Sequence, residues 1–496
     1  MKRFLLLLSI LVVFLTCARK DLPQDIIFKV DGHYVTEDEF RYRALFTIHP
    51  NLPSTDRNLE KVFLNNMILE KILVAEFGAQ SELTRNEGFQ SYILGRKEQS
   101  MREQLFNKKA LNIVKLDSAE ISKAMRLSKR EYDLEFFNIY NDSIAKAIAQ
   151  QIKSTPQSAP QIFSEYLEGR EHPTWTAKWR DPDHINIHEA LFSEPLHENS
   201  IVGPLKVDDE HWMMIKVVNW KDIVDFGGEE QQVWQQKIVE KLTMNHAVRN
   251  WDAYTREVMK GKSIDFDRDM FKKLADLFYD LNSARDLSNK DIIRRLFQNE
   301  DSTLSAFDLP DDETLLQQPF FNVDGTTWTV GNFRQALMSH PLVYRKTALD
   351  RGQFYLEFRR GIAALVRDTY LNKEAYKLGL DKDSNVQRDT KMWSDALIAA
   401  FERNQLLNNF GKALTDTTDL SRQSKLTTMY NEYLEELLHQ YHPKIQVNTE
   451  LYSRFEINKT QLFVTQPDQP YPVTVPRWPM FTDNNKVDYL PLKVKK

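Results

Sequence analysis

Two histidines one helical turn apart, His184 and His188, have the i, i+4 spacing at which a helix presents two imidazoles to one metal ion. A zinc site needs a third protein ligand, and none stands at a usable distance. Asp181 and Asp183 precede the pair around Pro182. They read as turn residues, because the remaining ligand positions of a calcium loop are missing. His439 and His442 flank a helix end, where they are solvated. There is no glycine-rich phosphate loop, and no serine or cysteine nucleophile constellation. The residues thus imply neither metal nor cofactor, and the functional reading must come from the elements around them.

The chain has 496 residues, enough for several domains of about 100–200 residues each. Hydrophobic residues make up 42% and charged residues 28%, the balance of a chain that folds. Only 15 glycines are present, so tight turns are few and long helices are favoured. A net charge of −5 gives no electrostatic reason for a nucleic-acid partner. Lys2 and Arg3 precede an apolar run from Phe4 to Leu15, too short for a bilayer span and suited to a signal-peptide core. The single cysteine, Cys17, ends that run, so no disulfide can form within one chain. Phe14-Leu15-Thr16-Cys17 resembles a bacterial lipoprotein box, with Thr16 in place of the usual small residue. The resemblance implies a lipidated Cys17, an anchor in the cell envelope and a body facing the periplasm. Ala18 rather than Asp favours the outer membrane over the inner, by analogy with enteric sorting.

Residues 26–40, IIFKVDGHYVTEDEF, read as a strand, an Asp31-Gly32 turn, and a helix opened by Thr36 with Glu39 three residues on. Residues 321–333, FNVDGTTWTVGNF, repeat the pattern, and both copies run on to a His-Pro pair, His49-Pro50 and His340-Pro341. In each copy a helix follows that stops at a glycine, Gly78 or Gly379, and then another helix begins.

Between the copies, 132–140 alternates as a strand with two largely apolar faces. Asn141 or Asp142 can cap a helix bearing Ile144, Ile148 and Ile152. A second short helix, Trp179, and a helix near 187–192 lead to a hairpin over 200–220. Ile201-Val202-Gly203-Pro204-Leu205 and this order of elements resemble the parvulin class of peptidyl-prolyl isomerases. The two flanking copies resemble the chaperone regions of SurA-, PrsA- and PpiD-like proteins. The fold so implied is α+β and predominantly helical, with two SurA-like helical modules and one inserted parvulin-like domain. The expected divisions are 1–17 signal peptide, 18–130 first module, 131–221 parvulin-like domain, 222–318 helical connector, 319–415 second module, and 416–496 a helix and an extended strap.

Parvulins place facing histidines on the first and last strands of the sheet. The matching positions here hold Asn138 and Met213, and His211 lies two residues early, so that it could substitute only through a register change. The resemblance implies a degenerate catalytic site, with Phe136, Asn138, Trp179, Phe192, Trp212 and Met213 as candidates for a peptide-binding groove. Three functions follow as expectations. The first is a lipid-anchored envelope chaperone that binds unfolded or nascent exported polypeptides, with an impaired parvulin domain. The second is an active isomerase. The third is a structural or adaptor lipoprotein in a fixed envelope complex.

Overall fold

The computed structural model describes residues 22–48, 59–168, 173–181, 183–208, 211–223, 228–284, 313–340, 342, 349–414, 419–455, 457 and 470–482. The signal-peptide reading, Cys17 and the pair His49-Pro50 lie outside the described residues, as does Pro341. The strands are β1 (Ile26–Val30), β2 (His33–Thr36), β3 (Arg130–Ile139), β4 (Thr174–Lys178), β5 (Ile201–Lys206), β6 (Trp212–Asp222), β7 (Ile264–Phe266), β8 (Pro319–Val323), β9 (Thr326–Thr329) and β10 (Ile445–Val447). The longer helices are α1 (Glu37–Leu45), α2 (Leu59–Phe77), α3 (Glu87–Phe106), α4 (Ser118–Leu127), α5 (Asp142–Ser154), α6 (Ala159–Leu167), α7 (Ile185–Phe192), α8 (Gly228–Val258), α9 (Arg268–Ala284), α10 (Val330–Ser339), α11 (Arg351–Lys377), α12 (Ser384–Ala413) and α13 (Asp419–Tyr441). Among the described residues the fold is α+β and mostly helical, with three small antiparallel sheets. Among the described residues no helix is long and apolar enough to cross a membrane.

The chain gathers into two compact units, the first made of 1–86, 391–464 and 474–496, the second of 87–390 and 465–473. In the first unit β1 and β2 form a hairpin, and β10 joins it on the other side of β1. The turn places Asp31 at φ 42° and Gly32 at φ 92°, left-handed angles that the Asp-Gly pair tolerates. Thr36 caps α1 by accepting from the Glu39 amide at 3.2 Å. In this unit Trp478 and Phe481 of the C-terminal segment are buried, with Trp478 against Phe63 at 4.2 Å between ring centroids. Asn66 holds the segment in place: its Oδ1 accepts from the amides of Phe481 and Thr482, and its Nδ2 donates to the Thr482 carbonyl.

The second unit repeats the hairpin as β8 and β9, with β7 as third strand and Asp324 and Gly325 again at positive φ. Here the cap is a full box, Thr329 and Asn332 bonding each other's backbone. The same unit holds the four-stranded sheet, ordered β4-β3-β6-β5. One face of this sheet packs Tyr132, Leu134, Ile215 and Val217 under α7 and the N-terminal part of α8; the other packs Phe137, Ile139 and Met214 under α5 and α6. A bulge in β6 after Val217 leaves Val218 outside the pairing and returns Trp220 to the register of Tyr132. Farther along α8, Ala247 and Trp251 pack against Met101, Phe106 and Ala110 from α3 and the turn after it.

Candidate functional site

Asn138 and Met213 are cross-strand partners in the β3–β6 ladder, next to Ile139 and Trp212. Side chains alternate across a strand, so Phe136, Asn138 and Met213 share one face. All three are half-buried, and Leu205 of β5 stands opposite Met213. The sharp return of β5 depends on Gly203: at φ 120° a Cβ there would meet the Met213 carbonyl oxygen at 2.6 Å. Only glycine lets the two strands approach so closely behind Met213.

The polar part of this face corrects the expectation drawn for His211. No register change occurs, yet His211 Nε2 lies 2.8 Å from Asn138 Oδ1. The reach is diagonal: a neighbour two residues along the facing strand is within range of a long side chain. Because Asn138 Oδ1 can only accept, the bond places the proton on Nε2 and turns the Asn138 amide nitrogen away from the imidazole. Tyr140 stacks on the His211 ring at 5.2 Å and is 72% exposed. The backbone holds His211 from the turn side, its carbonyl accepting from the amides of Val207 and Asp208. The site is therefore a polar pair with one aromatic lid, beside a small apolar patch of Phe136, Leu205 and Met213. It can accept an apolar ring and offer N–H donors.

The other candidates lie elsewhere. Trp212 pairs with Ile139 and packs in the cluster on the opposite face. Trp179 and Phe192 are buried with His188 and Tyr132, inside the cluster on whose margin Phe136, Leu205 and Met213 pack, and so face the core rather than a groove. The histidine pair does not converge on a metal: His184 Nδ1 accepts from the Asn186 amide at the start of α7, while His188 Nε2 bonds the Trp179 carbonyl at 3.1 Å. Asp181 accepts from the Lys178 amide, as a turn residue does. Among the described residues no group of three metal-ligating side chains occurs.

No family model matches the chain, and no curated protein matches it. Among solved structures, the foldase protein PrsA from Streptococcus pneumoniae is similar over 45% of this chain and 91% of its own, at 11% identity. The TM-score is 0.17, a likeness too slight to bear on fold or function.

Proposed function

We propose that the protein is a lipid-anchored chaperone of the cell envelope, of the SurA/PrsA-like type, that holds unfolded exported polypeptides. In this reading its four-stranded domain binds peptide with impaired catalysis, and the anchor is Cys17. The observation that carries the reading is the exposed Tyr140 beside the half-buried Phe136, Leu205 and Met213, an apolar and aromatic face at the edge of a packed sheet. Such a face suits proline and aromatic side chains of an extended chain, and methionine adapts to varied contents. The sequence supports the reading through the two flanking copies and the hairpin motif. The test is aggregation of an unfolded porin in the presence of the chain from residue 18 onward at near-equal concentration. Aggregation slowed several-fold is expected; an unchanged rate would remove the basis of the reading.

A second reading, residual isomerase activity, is favoured by the His211–Asn138 bond, which fixes an amide donor beside the apolar patch. Rotation about a prolyl bond needs no covalent chemistry, only a barrier of about 18–20 kcal/mol lowered by groups that favour the twisted amide. A proline-peptide cis/trans assay decides it: a rate equal to the uncatalysed one eliminates the isomerase, and a rate lost in Asn138→Ala establishes it.

A further inference from the structure

In the first unit, residues 476–481, Pro-Arg-Trp-Pro-Met-Phe, lie outside any helix or strand. Their burial repeats every three residues: Pro476, Trp478, Pro479 and Phe481 are buried, and Arg477 and Met480 are exposed. Three residues per turn is the period of a polyproline II chain, which forms no internal hydrogen bonds and leaves its amides and carbonyls to be met from outside. Two side chains of the unit meet them. Arg43 donates to the Arg477 carbonyl at 2.9 Å. Asn66 Oδ1 accepts from the amides of Phe481 at 2.6 Å and Thr482 at 2.9 Å, and its Nδ2 donates to the Thr482 carbonyl at 2.9 Å.

Asn66 is 0% exposed, and its second amide hydrogen goes to the Val62 carbonyl one turn earlier on α2. All four bonding positions of the carboxamide are therefore filled, one by its own helix and three by the segment. A buried carboxamide left with three of them empty is costly, so this face of α2 calls for a backbone that offers two successive N–H groups and a carbonyl. Its floor is aromatic: Trp478 lies 4.2 Å from Phe63 between ring centroids, and Phe63 is backed by Phe40 at 4.7 Å. Aromatic floors suit proline-bearing chains, which are stiff before they bind and lose little entropy on docking.

We propose that this face of α2 is a binding site for extended polypeptide bearing proline and aromatic residues, whose resident ligand is the chain's own residues 476–482, and that it exchanges the resident for a matching segment of another polypeptide. Each bond from Arg43 and Asn66 ends on a main-chain atom, and the side chains that enter are two prolines and two rings. Another chain with prolines three apart, and an aromatic residue two after each, supplies the same contacts. The inference rests on the client-binding reading for the source of that chain. The resident guards the site, since a ligand tethered beside its own groove acts at a concentration of roughly millimolar.

The test uses the chain from residue 18 onward and a fluorescein-labelled nonapeptide with the sequence of residues 474–482, read by anisotropy. Trp478→Ser combined with Phe481→Ser strips the resident of its rings, and this variant should bind the peptide about tenfold or more tightly than the parent does. Methylating the peptide nitrogens that correspond to Phe481 and Thr482 removes both donors to Asn66 and should weaken binding about tenfold. A nonapeptide of serine with prolines third and sixth and phenylalanines fifth and eighth should bind the variant within about tenfold of the resident sequence. A folded variant that binds no better than the parent, or that binds the methylated peptide equally well, would overturn the proposal. Should the variant not fold, the parent decides. The same peptide with a benzophenone in place of the indole, at roughly millimolar concentration, should photolabel α2, and labelling without preference for α2 would overturn the proposal. The porin assay separates the two claims. Aggregation slowed equally by parent and variant leaves the chaperone reading and removes this site as a client contact, whereas peptide binding by the variant with no slowing of aggregation keeps the groove and removes the client reading.

Discussion

The two hairpin-and-helix copies share their turns but not their interiors. In the first, the residue three after the capping threonine is Glu39, and the residue seven after it is Arg43; in the second these positions are Asn332 and Ala336. On the long helix that follows, counting back from Gly78 and Gly379, Glu70 and Lys71 stand where Leu371 and Asn372 do. The first copy therefore buries charge. Arg43 is bidentate on Glu70 at 2.7 and 2.8 Å and also donates to the Arg477 carbonyl. Lys71 reaches Asp395 at 3.0 Å and Glu39 at 3.4 Å. Arg43, Glu70 and Lys71 are each 1% exposed. The second copy fills the space between its hairpin and long helix with Phe320, Phe321, Phe333, Phe354 and Phe358, while Asp368 farther along the helix is buried with Arg102 and His340. Asn332, free of any ionic duty, completes the capping box that Glu39 leaves half made. One backbone plan thus places buried ions at different positions in the two copies, against the hairpin in the first and farther along the helix in the second, and the two differ in how they fail.

The largest effect is expected at Glu70. Glu70→Ala strands the Arg43 guanidinium without its bidentate partner, and breaking a buried pair in this way costs about 3–5 kcal/mol. The urea midpoint of the first unit should fall accordingly. At the matching position Leu371→Ala removes only packing, about 2–5 kcal/mol depending on how far the site collapses. A Glu70→Ala loss below that of Leu371→Ala would mean the ionic interior is no more brittle than the apolar one.

Acid should separate the buried carboxyls next. In the second unit burial pushes the Asp368 carboxyl up, but the His340 hydrogen bond and the nearby Arg102 and Arg367 outweigh it and hold it at about 2. A carboxyl held below its ordinary value contributes stability above that value and loses it as pH falls toward the folded one. Roughly 2 kcal/mol should disappear between about pH 4 and pH 2, and Asp368→Asn should flatten that part of the profile. Glu39 in the first unit behaves oppositely. Burial raises it despite Lys71 and Arg43, so its contribution is full in acid and declines as pH rises through its folded value. Burial pushes Asp395 of the first unit up, but Lys71 and Lys391 hold it below its ordinary value, so it loses stability in acid like Asp368. The contrast therefore lies between the carboxyls, and a Glu39→Gln variant that flattened the acid limb as Asp368→Asn does would remove it.

A smaller effect belongs to the cap. Asn332→Ala removes one half of the box on α10 and should cost about 0.5–1 kcal/mol. Amide exchange at the start of α10 would report it, and an unchanged exchange rate would deny the box any weight.

The turns and caps were open to sequence reasoning because they are local. Asp31-Gly32, Asp324-Gly325, Asn141 and Thr36 act within a few residues of themselves, and the structure uses each where its chemistry points. The apolar helix face of Ile144, Ile148 and Ile152 holds only in part: Ile148 and Ile152 pack with the fully buried Ala145, whereas Ile144 is 48% exposed. The strands β7 and β10 have three residues each, too short to show a period, and are recruited from distant parts of the chain. Glu70-Lys71 looks like any solvated helix face until Arg43 and Asp395 are known to meet it. At the candidate site, Asn138 and Met213 could be placed by counting along paired strands. The diagonal contact from His211 could not, since it depends on a side-chain direction at the end of the turn.

The smallest net change is expected when the buried pair is replaced as a whole. Arg43→Met with Glu70→Leu converts the core of the first copy toward that of the second. Each single change leaves a buried charge behind, whereas the double change removes both at similar volume, and replacement of a buried pair by packed apolar groups is commonly neutral or stabilising. Two losses work against it: the Arg477 carbonyl gives up a donor, and Lys71 gives up Glu70, 3.4 Å away. Lys71 keeps Glu39 and Asp395, so its charge stays paired. The double variant should lie within about 1 kcal/mol of the parent. The cycle of two single variants and the double should then give a coupling of about 5 kcal/mol or more, because each single variant loses about 3–5 kcal/mol and the double about 1. A double variant as unstable as Glu70→Ala would show that the charges are needed for this interior to form at all, and that the apolar arrangement of the second copy cannot be transplanted into the first.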